Sequence, residues 1–153
     1  MMAVVPSYIQ KNSSYIPLPV EEGCEYYSGG VIQINISLLI QYIEENPSKF
    51  NLIDVDIKDC HFSDVVIDHF SFIPSSKPCI YAELSPNNYS LIDGRHRYSL
   101  AKEKGDKYIN CYQVPVHILI NFFVSHDMYL KFVDYWNGKV NDYFEDQELI
   151  NRS

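Results

Sequence analysis

The sequence predicts an α+β fold, a single small domain ending in a helix. Three observations predict it. Apolar residues recur at helical spacing in two separate stretches. Two short apolar runs flank a turn at Ser85-Pro86-Asn87-Asn88, as in a hairpin. The chain is 153 residues long and 46% hydrophobic, enough for one buried core and too short for a comfortable second domain.

The elements follow in order. Residues 1–30 carry Pro6, Pro17, Pro19, Gly23, Gly29 and Gly30, the punctuation of an irregular arm that packs on a body or stays mobile. Val31–Ile34 reads as a short strand. Ile36, Leu39, Ile40 and Ile43 then share one helical face. Asn35 or Ser37 can cap that helix, and Asn46-Pro47 stops it. Asn51–Lys58 alternates, with Ile53, Val55 and Ile57 opposite Asp54, Asp56 and Lys58, as a half-exposed strand does. Phe62–Ile73 fits helix or strand.

Lys77–Leu84 and Tyr89–Ile92 are the two arms of the hairpin. Gly94 breaks the second. Arg95–Lys104 is a helix, with Gly105 where a left-handed residue closes a helix end. Tyr108–Val114 is a strand closed by Pro115. Ser125 caps a last helix whose Tyr129, Phe132, Val133 and Trp136 share a face, and Gly138 is read as its end. The domain therefore spans 31–138, and 139–153 is an acidic, frayed tail.

Charge narrows the function. The chain carries −8, from 12 Lys+Arg against 20 Asp+Glu. A protein that coats DNA or an anionic membrane needs the opposite sign, so DNA is an unlikely ligand. The charge is uneven, however. Asp93–Cys111 holds five basic and three acidic residues, a +2 island that leaves −10 for the rest. Cys24, Cys60, Cys79 and Cys111 form no CxxC pair, which gives no sign of a zinc site. The first ten residues lack the pattern of a signal peptide. No apolar stretch is long enough for a membrane span; Val114–Val124 is too short. The expectation is a cytoplasmic protein with reduced thiols and no membrane association. The 13 Tyr serve either the core and its rim or an interface.

The stretch that carries chemistry is Ile92-Asp93-Gly94-Arg95-His96-Arg97. A strand ends, a glycine turns the chain, and a helix starts with its amides and positive dipole end exposed. Basic residues in that first turn oppose the dipole unless an anion sits there. Amides and Arg forks together make a phosphate cradle. Gly94, Arg95, His96 and Arg97 are thus the candidate phosphate ligands. Asp93 and His96 are the candidate catalytic pair: Asp93 could orient His96, hold a metal or accept a proton. The plainer reading is a solvated helix start capped by Asp93.

Asp93–Arg97, with Ala101, Gly105 and the strand holding Ile109, resembles the ParB/sulfiredoxin-like fold. Its members share a hairpin, a DG-x-HR or related basic turn, a helix, a glycine and a short strand. Pro78 and the Val31–Glu45 strand and helix fit the same pattern. The close match covers Lys77–Val114, about a quarter of the chain. The resemblance implies a small mixed-sheet domain that binds a nucleotide (ATP, ADP or CTP) through this turn, with Mg²⁺, and its expected chemistry is phosphoryl transfer or nucleotide hydrolysis. Three departures matter. Arg95 stands where sulfiredoxin has its cysteine, which argues against sulfinic-acid reduction. Arg95, His96 and Ser99 depart from the partition proteins' Gly-Glu-Arg-Arg-x-Arg box, and no helix-turn-helix follows. The free-serine kinases' Asp-Gly-His-His-Arg motif is matched at all but Arg95, while Asn51–Ser76 replaces their usual linking helix.

Other features carry less. Asp54, Asp56, Asp59, His61, Asp64, Asp68 and His69 could hold Mg²⁺ beside a nucleotide, but alternation fits a solvated acidic face better. His117 and His126 are isolated, and Cys24 lies in the arm. No metal ligand is assigned. The alternative function is an acidic interaction protein, of immunity or antitoxin type, neutralising a basic protein partner such as a nuclease toxin.

Overall fold

The computed structural model describes residues 4–60 and 77–152. Phe62–Ile73, open between helix and strand from sequence, and His61, Asp64, Asp68 and His69 lie outside them. The fold is α+β. In chain order come strands β1 (Tyr26–Gly29) and β2 (Ile32–Asn35), helix α1 (Ile36–Glu45), strands β3 (Asn51–Asp56), β4 (Cys79–Ser85) and β5 (Asn88–Asp93), helix α2 (Arg95–Lys104), strand β6 (Tyr108–Val114), and helices α3 (Val116–Leu119) and α4 (His126–Arg152).

β1 and β2 form a two-stranded antiparallel ribbon. The others form a mixed sheet in the order β3-β6-β4-β5, in which only β4 and β6 run parallel. Alternation divides the sheet's side chains between two cores. Ile80, Ala82, Ile92 and Val114 face the large cluster built with α1 and α4, around Leu39, Phe123, Phe132 and Trp136. Cys79, Tyr81, Leu91, Ile109 and Cys111 face the opposite cluster, against which Tyr98 of α2 packs. The sheet is therefore covered on both faces, and α2 lies on the face away from α4.

Local chemistry explains most boundaries. Asn35 Oδ1 accepts the Leu38 amide at 3.0 Å and caps α1, while Ser37 Oγ accepts the Glu25 amide. Asn35 is fully buried and its Nδ2 has no partner among the described residues. The hairpin turns on Pro86 and Asn87, with Asn87 at φ +58°, a left-handed conformation asparagine tolerates. Asp56 ends β3 by accepting the Lys58 amide, so the strand stops two residues early and gives way to a 3₁₀ turn. Ser125 caps α4 through Met128.

Two sequence readings need correction. The arm is not wholly irregular: β1 lies within it, and Gly30, at φ +58°, makes the tight turn into β2. Its first part is a strap laid along α4. Trp136 Nε1 donates to the Ser7 carbonyl at 2.8 Å, and the Asn137 amide group brackets both the N–H and the C=O of Ile9. Tyr15 stacks on Tyr129 with ring centres 3.9 Å apart. The second correction concerns Gly138, which does not end α4; the helix runs on to Arg152 and the acidic tail is helical. Val140 is fully buried two residues beyond Gly138, and the strap's Tyr8 meets Asn141 and Phe144, so tertiary contacts outweigh the roughly 1 kcal/mol that a helical glycine costs.

Candidate functional site

Gly94 sets the site. It occupies the N-cap position of α2 at φ +101°, ψ 25°, where L side chains are strained. A Cβ there would overlap Cys79 Sγ and lie 2.8 Å from Cys79 Cβ. Glycine brings no capping side chain, and no acidic residue follows in the first turn. The helix therefore starts with its dipole end answered by no carboxylate of its own first turn.

Asp93 and Arg97 meet. Arg97 Nη2 donates to Asp93 Oδ2 at 3.0 Å, and both side chains are largely buried, 17% and 22% exposed. Arg97 Nη1 donates to the carbonyls of Pro78, at 3.0 Å, and Lys77. The guanidinium thus ties the approach to β4 to the end of β5. The structure gives Arg97 a fastening position and joins Asp93 to it. Arg95 is exposed and His96 is half-buried. All five residues, Asp93 to Arg97, line one cavity of about 420 Å³, together with Ile92 and Glu25 from the arm.

A second cavity, of about 300 Å³, shares Glu25, Asp93 and Arg97 with the first and extends over Ile40, Ile43 and Tyr112. A polar mouth with Arg and helix amides thus adjoins an apolar floor. Two residues of this site escaped the sequence reading. Glu25 sits in the arm and has no motif around it. Lys77 contributes its carbonyl, and a backbone atom leaves no mark in the sequence.

The described part of the acidic face, Asp54, Asp56 and Asp59, forms no second site. Asp54 Oδ1 accepts from Asn110 and Asp56 caps its own turn. Among the described residues no group of three or more His, Cys, Asp or Glu side chains is arranged to hold a metal. His126 lies in the first turn of α4 with its ring 6.3 Å from that of Tyr129. Among the described residues no helix is long and apolar enough to cross a membrane. No family model matches the chain, and no curated protein or solved structure does.

Proposed function

We propose that this chain is a small nucleotide-binding protein of the ParB/sulfiredoxin-like type, holding phosphates at the start of α2. One observation carries the reading: a helix that starts on a left-handed glycine, with a basic first turn, opens into a cavity of about 420 Å³. Arg95 and the amides after Gly94 supply the positive charge, and His96 a ring nitrogen that can hydrogen-bond to the phosphates. Arg97, fastened to Asp93 and to two carbonyls, acts as a positioning residue that keeps the turn in shape. The adjoining floor of Ile40, Ile43 and Tyr112 suits a base.

The carboxylates of Asp93 and Glu25 border the same space and would repel bare phosphates. Mg²⁺ brought in with ATP, ADP or CTP would offset that repulsion, since hard oxygens suit it. Should the bound nucleotide react, Asp93 and His96 are the groups placed to accept or donate a proton. Calorimetry with ATP, ADP and CTP, each with Mg²⁺, tests the reading. Saturable binding weakened at least tenfold by Arg95→Ala is expected. Absence of heat with all three nucleotides sinks it.

A second reading has its own observation. The distal half of α4 carries Asp142, Glu145, Asp146 and Glu148 beside exposed Phe144 and Leu149. That acidic, partly apolar surface suits a basic protein, such as a toxin neutralised by this chain. Co-purification with the product of a neighbouring gene at nanomolar affinity, together with no nucleotide binding, decides for it.

A further inference from the structure

The parallel pairing of β4 with β6 sets Cys79 directly opposite Cys111. Register partners point to the same face, so both sulfurs enter the same cluster. Cys79 Sγ donates to the Gly94 carbonyl at 3.8 Å and Cys111 Sγ to the Ile109 carbonyl at 3.7 Å. Both residues are buried, at 1% and 0% exposure, yet Cys79 also lines a cavity of about 230 Å³ beneath α2, with Arg97 and Lys104 at its sides. Cys79 borders that cavity and Cys111 does not, so a small neutral oxidant entering there meets Cys79 first. Neighbouring strands are about 4.8 Å apart, within the Cα separation of roughly 4.4–6.8 Å that a disulfide spans.

The environment makes the two sulfurs unequal. The neighbouring Cys111 thiol holds Cys79 below the ordinary thiol range, against its burial and with help from Arg97. The neighbouring Cys79 and burial push Cys111 well up. Cys79 is therefore the readier of the two to give up its proton and attack. Cys60, in the same cluster, is raised to about 11 by burial and is a poor nucleophile.

We propose that Cys79 and Cys111 are a reversible redox pair: a hydroperoxide entering the cavity under α2 oxidises Cys79, and Cys111 closes the disulfide. The Cys79 thiolate attacks the outer oxygen of the peroxide. The O–O bond breaks, an S–O bond forms, and the alkoxide leaves as alcohol after taking a proton. The Cys111 sulfur then displaces the hydroxyl from Cys79, and the Cys111 proton leaves with it as water. Two thiols and one hydroperoxide give one disulfide, one alcohol and one water. Parallel register partners hold their Cβ atoms near the strand spacing, wider than the roughly 3.5–4.5 Å a relaxed disulfide prefers. Closing the bond pinches the strands, and a strained bond is readily reduced again.

Cys79 Sγ also lies 3.8 Å from the Gly94 carbonyl oxygen. Turning the sulfur toward Cys111 releases that contact, so the oxidation is felt at the start of α2. The pair stands whether or not a nucleotide binds there.

The experiment uses full-length Cys24→Ser protein, which removes the half-exposed thiol of the arm. It is treated with one equivalent of hydrogen peroxide and mapped by mass spectrometry without reduction. The expected result is a Cys79–Cys111 bond, a fall from three free thiols to one, a shifted Gly94 amide resonance, and full reversal by dithiothreitol. Cys111→Ala should leave Cys79 as a sulfenic acid trapped by dimedone. A bond involving Cys60, or thiols unchanged by a tenfold excess of peroxide, overturns the proposal. If Cys111→Ala fails to fold, the map of the Cys24→Ser protein alone decides.

Discussion

Asp93 and Arg97 face each other across the first turn of α2, Oδ2 to Nη2 at 3.0 Å, while the other arm of the guanidinium reaches back to the Pro78 carbonyl. One side chain therefore joins the chain before β4, the end of β5 and the start of α2. Arg97→Ala leaves a largely buried carboxylate and two carbonyls without that donor. It should cost about 2–3 kcal/mol, read by urea unfolding, because hydrogen bonds to charged groups are worth about 1.5–3 kcal/mol. Asp93→Asn, which keeps an acceptor, should cost less. A loss from Asp93→Asn as large as that from Arg97→Ala would mean that the carboxylate's charge, and not its place as an acceptor, carries the interaction.

Gly94→Ala should be among the most damaging single changes. It combines left-handed strain with overlap on Cys79. A loss of about 3 kcal/mol or more is expected in thermal or urea unfolding. Adding Cys79→Ala should recover only part of it, because Cys79 Cβ and the backbone strain remain. Full recovery would mean that the sulfur alone dictates glycine.

Gly138→Ala should stabilise. Gly138 lies inside α4, outside the left-handed region, and a Cβ there meets nothing within 4 Å. The gain expected is about 0.5–1 kcal/mol. A loss would show that the helix bends or opens at that point.

Tyr15 should report alkaline unfolding. Burial raises its hydroxyl to about 12, and it donates to the Ile120 carbonyl at 2.7 Å. A group raised in the fold holds its proton more tightly there than in the unfolded chain. Its contribution is complete below pH about 10 and is lost as pH climbs toward about 12. Tyr89, also raised to about 12 by burial, acts in the same window. Tyr15→Phe should flatten the fall in stability across that range, measured by urea midpoints at successive pH values. An unchanged slope would remove Tyr15 as a source.

The parts legible in the sequence were those written locally. Asn35 as a cap, Pro86-Asn87 as a turn and Gly105 as a helix end each act through atoms within a few residues. The course of α4 beyond Gly138 was not legible, because it depends on Val140 reaching the core and on Tyr8, more than a hundred positions away. β1 carried a signal, the Gly29-Gly30 pair before β2, but the prolines upstream outweighed it. At the site, Asp93 to Arg97 stood out by charge and spacing. What Arg97 does there was hidden, since two of its partners are carbonyl oxygens that every residue owns.

The strap also bears on the order in which the molecule assembles. Its bonds from Ser7 and Ile9 to Trp136 and Asn137 join residues 128 or 129 positions apart. Loops that long close late, and these have no docking surface until α4 is seated on the sheet. The strap is thus the last segment to find its place, and it completes a fold whose remaining contacts are already made. Early in unfolding the same segment should peel away first, so amide exchange at Ile9 should outpace exchange in β4 and β6.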